Sequence, residues 1–171
     1  VLGSEHPDTA FMTYLRAEVF LQQGTFEKAE PLYLRALHIL ERVLGPAHPN
    51  VDAILNRLGG LYFRMGDDAK EEQLFQGTLN RYEQALGPEH PAIASILQRV
   101  ASLFARRHDF ATQAELCHRA LSIREKALGA DHPEVATSLV HLASVYSLLG
   151  DLPKEEQLLQ CALTIMENAL G

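Results

Sequence analysis

The 171-residue sequence lacks several features that define common classes of protein. It has no Trp, and its two cysteines, Cys117 and Cys161, form neither a disulfide framework nor a zinc-binding spacing. Cysteine usage of this kind indicates a reducing, intracellular compartment. No apolar run approaches the roughly 20 residues that a bilayer-spanning helix needs. We therefore expect a soluble, cytoplasmic protein that does not insert into membranes.

Basic side chains are outnumbered by acidic ones. Lys and Arg total 15 and Asp and Glu total 22, so the net charge is −7 with neutral histidines. Binding to nucleic acid needs a basic surface that displaces counterions, and it is not expected here. The sequence also has no glycine-rich phosphate loop and no nucleophile elbow. We expect no enzymatic activity and no cofactor.

An internal repeat is the dominant feature of this sequence. A Leu-Gly pair recurs every 42 residues, and a His-Pro pair follows it at the same interval. The period divides the chain 1–171 into one array, in which residues 1–3 end a preceding repeat and four whole repeats follow. Since the array starts and stops at this motif, we expect a fragment of a longer array. The four repeats are 4–45, 46–87, 88–129 and 130–171.

Each repeat predicts two helices with a short turn between them. Proline suits the first position of a helix, and it occurs at Pro7, Pro49, Pro91 and Pro133. Glycine suits a left-handed helix end, and the turn has Gly24, Gly66 and Gly150, but His108 in the third repeat. We expect His108 to cost stability there. The second helices are predicted to end at Leu44, Leu86, Leu128 and Leu170.

Equivalent positions form columns that indicate the buried faces. Small residues on the first helices precede an aromatic residue by three positions, as in Ala17 and Phe20. One hairpin cannot bury its apolar side alone, whereas stacked hairpins can. The second helices carry apolar columns at Leu37, Leu79, Leu121 and Leu163, and at Tyr33, Phe75, Cys117 and Leu159.

The segment from Phe26 to Tyr33, followed by Ala36-Leu37, resembles the tetratricopeptide repeat (TPR). The 42-residue period with Leu-Gly-x-x-His-Pro resembles the long variant found in kinesin light chain and nephrocystin-3-like proteins. The resemblance implies an all-α, right-handed α-solenoid of four helix-turn-helix units with eight helices. It also implies that the first helices line a concave groove.

The sequence departs from the family pattern at several positions. The asparagines that kinesin light chain carries on most first helices are reduced to Asn56, which argues against kinesin-type cargo recognition. Glu71 and Glu155 occupy the position of Ala29, where the family has a small residue. Because a buried carboxylate is costly, we expect both to lie at the edge of their helices.

Charge is divided unevenly between the two kinds of helix. The first helices (10–24, 52–65, 94–108 and 136–149) sum to +4, and the second helices (25–44, 67–86, 109–128 and 151–170) sum to −6. A net-basic groove in an acidic protein favours an acidic partner segment. The alternative is that the arginines only offset neighbouring acids.

The candidate peptide-binding residues lie on the first helices. One column, a repeat apart, has Arg57, Arg99 and His141; a second has Arg64 and Arg106; Tyr14, Asn56 and Gln98 lie beside the first. The four arginines are expected to form one patch. The His-Pro histidines lie about 10 Å apart by helix-packing distances, too far to share a metal, so we expect no metal site and a structural role in the loop.

Two functions are compatible with these features. The first is a protein–protein interaction module, or adaptor, whose concave groove binds an acidic peptide segment of a partner protein. The second is a structural or regulatory arm of a larger protein. Such an arm would pack against other domains of its own chain or self-associate end to end through exposed apolar end faces.

Overall fold

The computed structural model describes residues 6–170, without the side chain of Leu170. Leu2-Gly3, the start of the first predicted repeat at residue 4, and Gly171 lie outside the described residues. Within them the chain forms eight α-helices and no strand, so the predicted all-α fold is confirmed. The helices are α1 (Pro7–Gln22), α2 (Phe26–Leu44), α3 (Pro49–Met65), α4 (Asp68–Leu86), α5 (Pro91–Arg106), α6 (Phe110–Leu128), α7 (Pro133–Leu149) and α8 (Leu152–Leu170).

The chain divides into two compact units, residues 1–74 and 75–171, with the division inside α4. In the first unit α2 packs against both α1 and α3. In the second, α6 packs against α5 and α7, and α7 packs against α8. The repeat boundaries at residues 45, 87 and 129 stay a prediction.

Among the described helices, none combines the length and the apolar character that crossing a membrane requires.

Histidine caps the start of each first helix. The Nδ1 atoms of the four His-Pro histidines accept a hydrogen bond from the backbone N–H two residues later, at 3.1–3.2 Å. The bond satisfies one of the N–H groups that a helix start leaves without a partner inside the helix. The expected structural role of these histidines is thus a helix cap. The residues are His6, His48, His90 and His132.

The turn inside the third hairpin has the same shape as the others. His108 has φ 59°, whereas Gly66 and Gly150 have φ 69° and 76°. The N–H of Asp109 donates to Phe104 at 3.0 Å, as that of Asp67 donates to Tyr62. The His108 ring also packs edge-to-face on Phe110, with centroids 5.8 Å apart. A side chain therefore occupies a left-handed position that favours glycine.

The predicted apolar columns are buried except at their last members. Tyr33, Phe75 and Cys117 are buried, and so are Leu37, Leu79 and Leu121, whereas Leu159 and Leu163 on α8 are exposed. In the second unit the core joins α6, α7 and α8 through side chains such as Cys117, Leu142 and Ala162.

The expectation that Glu71 lies at a helix edge is wrong. Glu71 is 7% exposed, whereas Glu155 is half-buried. Glu71 makes an interaction with another residue. Burial of a carboxylate is tolerated where the group is paired, because the partner offsets part of the lost hydration. The repeat pattern alone did not reveal that partner.

We predict that His90→Ala lowers the free energy of unfolding by about 1 kcal/mol, because the N–H of Ala92 loses its side-chain acceptor. His90→Asn should keep most of the stability, because the asparagine oxygen can accept the same bond. Urea denaturation followed by circular dichroism measures both. Equal stability of His90→Ala and the wild type would show that the cap contributes nothing.

We predict that His108→Gly is more stable than His108→Ala by about 1 kcal/mol, since only glycine adopts this φ without steric cost. The wild type should lie between the two, because its ring contact with Phe110 offsets part of that cost. Thermal unfolding of the three proteins gives the order. Glycine as the least stable variant would contradict the prediction.

Candidate functional site

Arg57 on α3 lies in a cluster of polar side chains from three helices of the first unit. Its Nε atom is 3.2 Å from Oε1 of Glu18 on α1, and the Tyr33 hydroxyl of α2 donates to the same oxygen at 2.5 Å. A hydrogen bond with Tyr14 and then the charge of Glu18 raise the pKa of Arg57. The Arg57 side chain is nevertheless 51% exposed, so it can still reach a ligand.

Burial and the bond to Glu18 raise the pKa of Tyr33. Tyr33 therefore stays protonated and holds the Glu18 carboxylate in place as a hydrogen-bond donor. The Tyr14 ring packs on Tyr33 with centroids 6.1 Å apart. The cluster thus fixes the position of one cation, Arg57, beside one aromatic ring, Tyr14.

An apolar pocket of about 430 Å³ adjoins this cluster. Its apolar lining includes Phe11 and Tyr14 of α1, Leu40 of α2, and Ile54 of α3, and the polar side chains of Asp8 and Asn50 also line it. Phe11 is largely exposed, and Tyr14 is half-buried. A pocket of this size and lining can accept one large apolar side chain.

Asn56 and Arg64, the other predicted site residues of this unit, are both exposed. The Asn56 amide donates to Oδ2 of Asp52 at 3.4 Å, one helical turn earlier. The guanidinium of Arg64 lies 4.9 Å from the centre of the Phe26 ring, a cation–π contact that anchors its stem. Both therefore present polar groups to solvent.

In the second unit the structure brings Gln98 of α5 and His141 of α7 together. The Gln98 Nε2 atom is 2.9 Å from Nδ1 of His141, and its Oε1 accepts from Nη2 of Arg124 at 2.9 Å. Because the oxygen of Gln98 faces Arg124, its amide nitrogen is the donor to His141. His141 therefore accepts at Nδ1 and carries its proton on Nε2.

Arg124 is the buried centre of this network. It donates to Ser138 at 2.8 Å, and its Nε lies 3.6 Å from the Glu134 carboxylate. Burial lowers the pKa of Arg124, and the nearby Glu134 partly offsets that. Burial, and then the charge of Arg124, also lower the pKa of His141. Arg124, which the sequence analysis did not single out, thus holds Gln98 in place, and Gln98 in turn bonds His141.

A polar cleft of about 240 Å³ opens beside this network, lined in part by Gln98, Ser102, His141 and Ser144. Cys117 also lines it, but burial raises the pKa of this thiol, so the reactive thiolate is disfavoured. The cleft therefore offers hydrogen-bonding groups rather than a nucleophile.

The other two predicted arginines of the second unit differ in exposure. Arg99 is half-buried, with its guanidinium 5.6 Å from the centre of the Phe75 ring, and Arg106 is exposed. The predicted equivalence of the Arg57 and Arg99 positions is therefore not matched by equal access to solvent. Arg106 is the more accessible cation of the two.

Sequence reasoning missed Glu18 and Arg124, the residues that orient the two clusters. The sequence contained a sign of the role of Arg124, because Arg124 stands one repeat after Tyr82 and two repeats after Leu40, in a column that is otherwise apolar. Glu18 had a weaker one, since the equivalent residues are Gly60, Ser102 and Ser144.

Comparison with known proteins identifies the repeat. A tetratricopeptide-repeat profile matches residues 8–76, 53–112 and 114–168, and a second profile of the same description matches 93–134. Curated protein sequences gave no match.

Among the described residues, no group of three or more His, Cys, Asp or Glu side chains could hold a metal ion.

Solved structures share the fold. BtubC (BKLC) from P. vanneervenii has a TM-score of 0.74 at 23% identity, over 97% of this chain and 66% of that one, slightly less than two thirds of its length. TPR-like repeats of a candidate kinesin light chain from Podosopora anserina have a TM-score of 0.69 at 22% identity, over 99% of this chain and 80% of that one. A point variant of those repeats has a TM-score of 0.71 at 22% identity, with the same coverage.

We predict that His141 titrates below the ordinary histidine value of about 6.5. The unfolded chain then binds this proton more readily, so the free energy of unfolding should fall as the pH drops through that value. An NMR titration of the ring protons gives the pKa directly. In the His141→Gln variant, the fall in the free energy of unfolding that His141 causes should disappear. A pKa of His141 at or above the ordinary histidine value in the wild type would contradict the prediction.

Proposed function

Because the chain belongs to the tetratricopeptide-repeat family, we propose that it is a non-catalytic adaptor whose first helices bind a peptide segment of a partner protein. Repeats of this family build protein-interaction modules. The proposal adds three finer points: the ligand is a peptide, the segment is acidic, and the first helices hold it. We also propose a cytoplasmic location, in line with the cysteine usage.

The observation that carries the proposal is the combination of an apolar pocket and a fixed cation in the first unit. The pocket between Phe11 and Ile54 suits a leucine or aromatic side chain, and Tyr14 joins it to Arg57. Interfaces concentrate their binding energy in such anchors, and arginine and tyrosine are frequent among them. A peptide with one apolar anchor and nearby carboxylates satisfies both features.

The way in which Glu18 holds Arg57 supports a preference for acidic peptides. Its planar guanidinium has five N–H donors, and the Nε end faces Glu18. Donors on the exposed side can pair with a peptide carboxylate, which gives direction as well as charge. Glu18 both orients Arg57 and competes with the peptide for it. Each exposed pair contributes roughly 0.2–1 kcal/mol, so a single arginine tunes the affinity rather than creating it.

Asn56 and Arg64 extend the proposed site along α3. The Asn56 amide is exposed and can bond a peptide backbone, and Arg64 presents a second cation on its Phe26 support. In the second unit Gln98 and His141, on the polar cleft, and Arg99 and Arg106 complete the proposed set. Gln98 is bonded to both His141 and Arg124, so we propose that Gln98 and His141 shape the cleft rather than supply free donors.

Selection from a peptide display library tests the proposal. We expect the enriched peptides to carry one leucine or aromatic residue flanked by Asp or Glu. Their affinity should fall as salt is raised, because exposed charges are screened within about 10 Å at 0.1 M ionic strength. Enrichment of basic peptides, or of none above background, would overturn the proposal.

Variants of Arg57 and Glu18 provide the sharper prediction. Arg57→Ala should weaken binding of a selected peptide a few-fold, and Arg57→Glu should weaken it further. Glu18→Gln should strengthen binding, because it removes the competing charge while its amide oxygen still accepts from Tyr33. Isothermal titration calorimetry measures all three.

Arg35→Glu is the matched control, because Arg35 is an exposed arginine of the same unit on α2. It makes the same change of charge outside the proposed site and should bind nearly as the wild type does. If Arg35→Glu weakens binding as much as Arg57→Glu, the effect is one of net charge. If the double variant Arg57→Glu, Arg99→Glu keeps its helical content and binds normally, the proposed arginines are not the site.

A further inference from the structure

The polar cleft of the second unit is lined by residues of three interior helices, α5, α6 and α7. Ser102, His141 and Ser144 are exposed, whereas Ala101 and Cys117 are buried. The cleft therefore has a rim that faces solvent and a base inside the protein.

The first unit carries larger side chains at the equivalent positions. Cys117 stands two repeats after Tyr33. Ser102 stands two repeats after Glu18, the acceptor of the Tyr33 hydroxyl. Serine and cysteine are much shorter than glutamate and tyrosine. The second unit therefore leaves open a space that the first unit closes with its own hydrogen-bonded pair.

Two serines determine what the rim of the cleft can bind. The Ser102 hydroxyl donates to the backbone oxygen of Gln98 at 3.0 Å, and the Ser144 hydroxyl donates to that of His141 at 2.7 Å. Each hydroxyl has one proton, which these bonds use, and two lone pairs, which can accept. Toward a ligand both serine oxygens are therefore acceptors.

Gln113 of α6 shows the same surplus of acceptors. It lines the cleft, and its Oε1 atom is shielded from solvent without a hydrogen-bond partner in the part of the chain that the structure describes. A buried acceptor that stays unsatisfied costs free energy. A ligand that brings a donor to this cleft is therefore favoured over one that brings only acceptors.

The charge around the cleft favours neutral donors over cations. Burial, and then the charge of Arg124, lower the pKa of His141, so the field of Arg124 reaches the cleft wall. The lining residues in the described part of the chain include no carboxylate. An ammonium or guanidinium group would thus enter a positive field without a counter-charge.

The primary carboxamide is the neutral side-chain group that fits these features best. Its nitrogen carries two N–H donors, one for each serine oxygen, whereas a hydroxyl has one donor and a carboxylate has none. An apolar side chain would leave the polar lining without partners. Asparagine and glutamine carry this group.

We propose that the cleft binds the side-chain carboxamide of an asparagine or glutamine of the partner peptide, which donates to Ser102 and Ser144. This inference rests on the proposed function, because it takes the ligand to be a peptide. It deepens that function by giving the second unit a chemistry opposite to that of Arg57, which donates to acids. Gln98 and His141 keep the role of shaping the cleft.

Small probes test the cleft without any peptide. The probes are N-acetyl-glutamine N-methylamide, its asparagine analogue, and the glutamate, lysine and methionine analogues as comparisons. NMR follows the ring signals of His141 in the full chain. We expect a carboxamide probe to shift these signals saturably, and the three comparison probes to need at least about fivefold higher concentration. A preference for lysine or glutamate, or no shift with either carboxamide, would overturn the proposal.

Serine variants test the proposed acceptors. Ser102→Ala and Ser144→Ala should each weaken binding of the better carboxamide probe by about fivefold. Both serines are exposed, so far-UV circular dichroism should be unchanged. Ser147→Ala is the matched control, because Ser147 is an exposed serine of α7 outside the lining of the cleft. If the variant that lacks both cleft serines binds as the wild type does, the acceptors are assigned wrongly.

The double variant Ser102→Glu, Cys117→Tyr places the residue pair of the first unit in the second. The tyrosine should fill the cleft and donate to the new glutamate, as Tyr33 donates to Glu18. Carboxamide probes should then fail to shift His141. Thermal unfolding shows whether this variant keeps its fold, and if it does not, the serine variants decide the question. A folded double variant that still binds the probe would show that the cleft is not the site.

Failure of the cleft and failure of the proposed function are distinguishable. Arg57→Ala lies in the first unit and should leave probe binding unchanged. If display selection yields no peptide while a carboxamide probe still binds, the peptide function is rejected and the chemistry of the cleft stands. If a selected peptide binds the variant without both cleft serines normally, only the carboxamide assignment is rejected.

Discussion

A helical hairpin of this protein has an apolar side that it cannot cover by itself. The side chains of α2 and α6 that point away from their own hairpins are buried by α3 and α7, which belong to the next repeats. This shared burial sets the stability of each repeat through its neighbour. It is seen at Leu121 of α6, which is buried in one hydrophobic cluster with Val135 and Leu139 of α7.

Polar residues at the contacts between helices add specificity to this apolar packing. Arg124 bonds Gln98 of α5 and Ser138 of α7, so one buried guanidinium links three helices. Glu18 and Arg57 link α1 and α3 in the first unit. Arg124 needs its partners because burial makes an unpaired charge costly. Residues available to a ligand are therefore those with donors left over after this internal pairing.

The first helices combine two requirements that compete. Their inner residues hold the hairpins together, whereas their exposed residues carry the proposed binding surface. Arg57 belongs to both groups, because Glu18 holds it in the protein and half of its side chain faces solvent. An arginine that is held in this way loses less conformational entropy on binding than a free one, at the cost of competition from its own partner.

The sequence by itself determined the helices, the turns and the family. Proline, the capping histidine and the turn glycine act within a few residues, so their 42-residue recurrence was sufficient. It also placed the candidate residues on the first helices. Only the tertiary structure decided that Glu18 pairs with Arg57, that Arg124 holds Gln98, the partner of His141, and that Glu71 is buried. Those outcomes depend on side chains from different helices, whose spatial neighbours a repeat pattern does not specify.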